Sequence, residues 1–129
     1  MSFILFSNIF LFIPVIIAGM KGEWLYFFFA LGISIFSPTY HYLKTYKQNS
    51  RFFKFTKDTD WIFAVSAYIY MLYFVIYRVE DNFKFLLGTA LILTVLFFWY
   101  GFKFHKYQSL HPWFHIVAPI VSGLIVFLS

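Results

Sequence analysis

Cysteine is absent from the 129 residues. That excludes disulfide bonds, thiolate metal sites and cysteine nucleophiles together, while saying nothing of compartment. Charge is nearly as scarce: 12% of residues are charged, with five acidic side chains against ten basic ones. This is about half the usual share for a water-soluble domain. Low-complexity tracts, internal repeats and polar stretches long enough to make a soluble domain are also lacking, so residues 1–129 read as a single domain.

What fills the chain instead is apolar. Hydrophobic residues make up 62% and mean hydropathy is +0.78, values that belong to a lipid-embedded protein. Five apolar segments, at about 3–19, 24–43, 61–77, 83–102 and 112–128, approach or reach the length at which a helix crosses a hydrocarbon core of about 30 Å. The expected fold is therefore all-α, a polytopic bundle of about five membrane-spanning helices. The first segment has neither a basic start nor a small-residue cleavage site, so it reads as a retained helix rather than a secretory signal. Aromatic residues reach 27%, 21 of them Phe. Rings of this kind fill space between helices and anchor at interfaces, and need no ligand to account for them.

Charge placement sets an expected orientation. Lys44, Lys47, Arg51, Lys54 and Lys57 lie between segments two and three, and Lys103 and Lys106 between four and five. The other two connections hold only Lys21, Arg78 and Lys84, diluted by Glu23, Glu80 and Asp81. Positive connections stay cytoplasmic, which places the N-terminus inside and the C-terminus outside. The net charge of +5 is mostly this asymmetry between tight connections, and so it is not a sign of nucleic-acid binding. The stretch 44–57 alternates cations with aromatics; it reads either as a surface for anionic headgroups or as an ordinary positive-inside loop with snorkelling anchors.

Three polar islands interrupt the apolar sequence: Ser37-Pro38-Thr39-Tyr40-His41, Asp60 before the run Trp61-Ile62-Phe63-Ala64, and His111-Pro112-Trp113-Phe114-His115. Lipid gives no reason to keep such side chains. In the expected topology all three fall at the same face of the membrane. Residues four apart share a helix face, so Ser37/His41 and His111/His115 can each present a polar pair to the bundle. Without cysteine, any metal there must be held by His and carboxylate. Each residue also has a plainer reading. A membrane histidine can simply hydrogen-bond a neighbour, Ser37 can satisfy backbone freed by Pro38, and His111 can cap the last helix ahead of Pro112.

The order S-x-x-x-H, Asp, H-x-x-x-H resembles the CREST superfamily of membrane proteins, which includes alkaline ceramidases, adiponectin and progestin receptors and hemolysin III-like proteins. The resemblance spans Ser37 to His115. It implies Zn²⁺ held by His41, His111 and His115, with Asp60 taking a proton from water and Ser37 donating to an oxyanion. The implied activity is hydrolysis of a lipid amide or ester near the cytoplasmic face, with a membrane lipid as substrate or ligand. Family members commonly have seven helices with the second histidine pair on the seventh, whereas here it lies on the fifth segment. Losing two helices together preserves the direction of the last one, and a homo-oligomer could supply the missing cavity wall. Some members are described chiefly as receptors, so a receptor-like or structural zinc protein without turnover stays open. A bis-histidine haem carrier and a protein whose polar residues only pack stay open as well.

Asp58 competes with Asp60 for the acidic role, but it lies nearer the basic connection and beside Lys57. His105, between Lys103 and Lys106, reads as a loop histidine. Tyr68, Tyr70, Tyr73, Tyr77, Trp99 and Tyr100 read as packing and interface residues.

Overall fold

The computed structural model describes residues 3–49, 51–104 and 107–129, and all the regular structure in them is helical. The first apolar segment forms α1 (Phe3–Ser7), a 3₁₀ turn (Asn8–Leu11) and α2 (Phe12–Lys21). Then come α3 (Trp24–Tyr46), α4 (Phe52–Tyr77), α5 (Asp81–Lys103) and α6 (Tyr107–Leu128). With α1, the 3₁₀ turn and α2 taken as one interrupted rod, five rods form the expected all-α bundle. Each rod packs on its neighbours in sequence, and the first returns to pack on α6, closing a ring. α4 also reaches α6 across the ring.

The break in the first rod has a local cause. Pro14 has no N–H to give the carbonyl four residues back, and the turn just before it tightens into a 3₁₀ helix. The Leu11 carbonyl accepts a hydrogen bond from Ser34 Oγ of α3, at 3.1 Å. In lipid such a backbone group has no water to turn to. The rod then ends at Gly22, whose φ of 71° is left-handed. The Gly22 and Glu23 amides close back on Gly19 and Ala18 in a helix-terminating turn.

Two boundaries differ from the sequence expectation. α4 starts at Phe52 instead of near Trp61, because the stretch 52–60, with Lys54 and Lys57 balanced by Asp58 and Asp60, has no helix breaker and simply continues the helix outward. Asp60 therefore lies two turns inside α4 rather than at its start. Likewise α6 starts at Tyr107, so Pro112 falls within its second turn. His111 is thus inside the helix, not its cap.

Among the described residues three helices are long and apolar enough to cross a membrane: Phe52–Tyr77, Asp81–Lys103 and Ser109–Leu128. The first rod is shorter, apolar over Leu5–Lys21, and α3 has the length but carries the polar Ser37–His41 island in its second half. Phe85, Leu86, Ile92, Leu93 and Leu96 of α5 face outward, as do Ile62, Ile69 and Ile76 of α4. Exposed apolar surface on this scale is what a lipid solvent permits and water does not, and these features make the molecule a membrane protein.

The ends of the bundle differ. At one, Arg78 pairs with Glu23 at 2.6 Å, and the Lys21 ammonium donates to the carbonyls of Val126, Phe127 and Ser129 at 2.7–2.9 Å. The well-packed core, with Ala18, Tyr26, Met71, Phe74, Ile125 and Val126 nearly fully buried, occupies the half of the bundle nearest this end. The opposite half holds the polar islands and a cavity beside them.

Candidate metal centre

α3 and α6 do not touch through their backbones: among the described residues no Cα of one lies within 8 Å of a Cα of the other. Three imidazoles fill part of the gap. His41 comes from the last turns of α3, and His111 and His115 from consecutive turns of α6, where four-residue spacing stacks them on one face. Ring centroids are 5.1 Å apart for His41 and His111, 4.9 Å for His41 and His115, and 4.4 Å for His111 and His115. All three are buried, at 2%, 8% and 4% exposure respectively.

One ring nitrogen from each histidine lies within 4.8 Å of the others, and this trio is the metal-competent group among the described residues. Tetrahedral zinc with bonds of about 2.0–2.1 Å places its ligand nitrogens roughly 3–4 Å apart. Small side-chain rotations would close the difference. The donor set fits a borderline divalent metal: three imidazoles and no competing thiolate, set among largely apolar walls. Those walls are aromatic. The Tyr40 ring sits 4.9 Å from His41, the Phe98 ring 5.6 Å from His111, and the Phe114 ring 5.7 Å from His111.

The other two predicted residues reach the same place. Ser37, Asp60, His111 and His115 line one cavity of about 290 Å³, together with apolar side chains that include Ile33, Ala64, Val65, Val95 and Phe98. Ser37 is buried. Asp60 is half-buried, whereas Asp58 is exposed, so Asp60 is the carboxylate that faces the cavity. It does not belong to the histidine trio as a ligand. The cavity adjoins a second of about 130 Å³, with Leu11, Ile33, Ala64, Tyr68, Val95 and Phe114 lining both. The second cavity extends the apolar lining from the side of the histidines toward Tyr26 and Ser122. Trp61, Val65 and Val95, which line the larger cavity, are 40–49% exposed, so its side between α4 and α5 opens toward lipid.

Sequence reasoning missed Ser7. Its side chain is fully buried, with Oγ 3.5 Å from His115 Nδ1. Ser7 and Asn8 are the only residues of Ser, Thr, Asn, Gln or charged type between positions 3 and 19, and a polar pair at that depth was the available signal. Among residues read as packing, Tyr70 stacks in a cluster with Tyr26, Phe29 and Phe74, while Tyr68 lines both cavities. Trp99 is exposed under the Lys103 ammonium, 4.7 Å from its ring, as an interface anchor would be. His105 lies outside the described residues.

Comparison with protein-family models, curated proteins and solved structures finds no match for this chain.

Proposed function

We propose that this chain is a zinc-dependent membrane hydrolase, a shortened relative of the CREST proteins, that cleaves an amide or ester of a lipid. The observation that carries the reading is the meeting of His41, His111 and His115 beside a cavity lined by Asp60 and Ser37. Three histidine ligands leave one position of a tetrahedral site open, the arrangement of catalytic rather than structural zinc. When bound, the metal supplies Lewis acidity and water acidified to a pKa of about 7.

The remaining work belongs to the protein's own residues. Asp60 stands off from the histidines in the same cavity, suited to take a proton from the attacking water and return it to the leaving amine or alcohol. Ser37 would donate a hydrogen bond to the oxyanion as the scissile carbonyl becomes tetrahedral. The pair of adjoining cavities would hold the hydrocarbon part of the substrate. Its volume is at the small end of ligand pockets, suiting one slender chain. On the same reading the basic connections face the cytoplasm, putting the site near that side of the membrane.

The test is metal analysis of detergent-purified protein together with an assay of fatty-acid release from ceramides, other N-acyl lipids and lysolipids. The expected result is about one zinc per chain and release that disappears on chelation and returns with zinc. Bound zinc with no release above the metal-free control for any of these lipids would favour a receptor-like or structural zinc protein instead.

A further inference from the structure

Ser7 lies outside all three polar islands. Its hydroxyl is carried into the bundle by the rod that α1 begins, which packs against both α6 and α3. A T-shaped contact between Phe3 and Trp113, with centroids 5.5 Å apart, holds α1 along the flank of α6. The 3₁₀ turn that follows keeps this rod against the histidine gap, with Leu11 lining the cavity one turn beyond Ser7. The hydroxyl therefore reaches His115 from the α1 side of the gap between α3 and α6. A fully buried hydroxyl is costly unless it is hydrogen-bonded.

We propose that Ser7 is a positioning residue for His115, its Oγ accepting a hydrogen bond from Nδ1 so that Nε2 is the nitrogen offered to the metal. Histidines that ligate metals nearly always donate their other ring N–H to a fixed acceptor, which settles the tautomer and the ring orientation. At 3.5 Å the contact is at the long limit of hydrogen bonding, so its role is to orient the ring rather than to hold the helices together. The plain structural reading is that Ser7 only fills space and satisfies nearby backbone. The two readings predict different results.

The inference rests on the metal-binding reading of the trio, and the experiment separates their failures. Zinc affinity is measured by competition with a chromophoric chelator for wild type, Ser7→Ala and Ser7→Thr, and the cobalt-substituted proteins are compared by their d–d spectra. Ser7→Ala should bind zinc about 10–100-fold more weakly and show an altered cobalt spectrum, with the metal-free melting temperature little changed. Ser7→Thr, which keeps the hydroxyl, should restore affinity. In case the variants fold poorly, ¹⁵N-histidine NMR of the zinc-loaded wild type gives an independent answer: His115 should carry its proton on Nδ1 and its metal on Nε2. Zinc on Nδ1, or unchanged affinity in Ser7→Ala, overturns the inference while the trio's role stands. Wild-type protein that takes up no metal ends both.

Discussion

At the scale of single residues, roles in the site separate by what each side chain can still do after substitution. His41→Ala and His115→Ala each leave two ligands, so bound zinc in the purified protein should fall to background, with activity lost alongside it. Asp60→Asn keeps shape and leaves the histidine trio intact, but an amide cannot accept water's proton. We expect metal content to hold and turnover to drop about 10²–10⁴-fold; an Asp60→Asn protein that loses its zinc would make Asp60 a ligand instead. Ser37→Ala should lower turnover by up to about 10²–10³-fold if the hydroxyl meets the oxyanion, and hardly at all if it only serves the backbone near Pro38. Asp58→Asn is the matched control, because that carboxylate is exposed.

At the scale of helices, the site depends on α3 being held firmly against α4 while it stands apart from α6. The close approach is at Gly32, where an added Cβ would lie 2.6–2.8 Å from the ring atoms of Phe63. Phe63 cannot easily yield, since its ring stacks on Phe36 at 5.8 Å and meets Phe28 edge-on at 5.4 Å. Gly88 offers a contrast: a Cβ there would meet Val75 at an ordinary 3.6 Å. Gly88→Ala should gain up to about 1 kcal/mol from helix propensity. Gly32→Ala gains the same propensity but forces overpacking worth about 1–3 kcal/mol, so it should melt below wild type in detergent. Equal melting temperatures for the two variants would show that Phe63 gives way freely.

For the whole molecule, the testable property is orientation. The structure puts Arg78, Glu23, Lys21 and the end of α6 at one end of the bundle and the histidines near the other. Which end faces the cytoplasm follows only from charge, through the positive-inside bias. The chain has no cysteine, so single cysteines can be introduced on a clean background. Gln48→Cys and Asn82→Cys both lie at exposed positions. An impermeant thiol reagent added to intact cells should label position 82 and spare position 48. The opposite labelling would invert the topology without moving the histidines relative to one another.

The all-α class, the number of rods, and the gathering of Ser37, His41, Asp60, His111 and His115 toward one end were legible in the sequence. They depend on run length, charge asymmetry and the parity of antiparallel helices, all properties of a one-dimensional pattern. The four-residue spacing of His111 and His115 was enough to put them on one face of a helix. Boundaries were less legible: nothing in 52–60 or 107–111 forbids helix, so polar turns extended α4 and α6 beyond their apolar runs and moved Asp60 and His111 inward. Only the tertiary structure decided that α3 and α6 stay apart and leave room for three imidazoles and a cavity. It also decided that Asp60 rather than Asp58 faces that cavity, and that the interrupted first rod delivers Ser7 to His115. These are distances between residues up to 108 positions apart, set by how five helices pack together, and no local pattern encodes them.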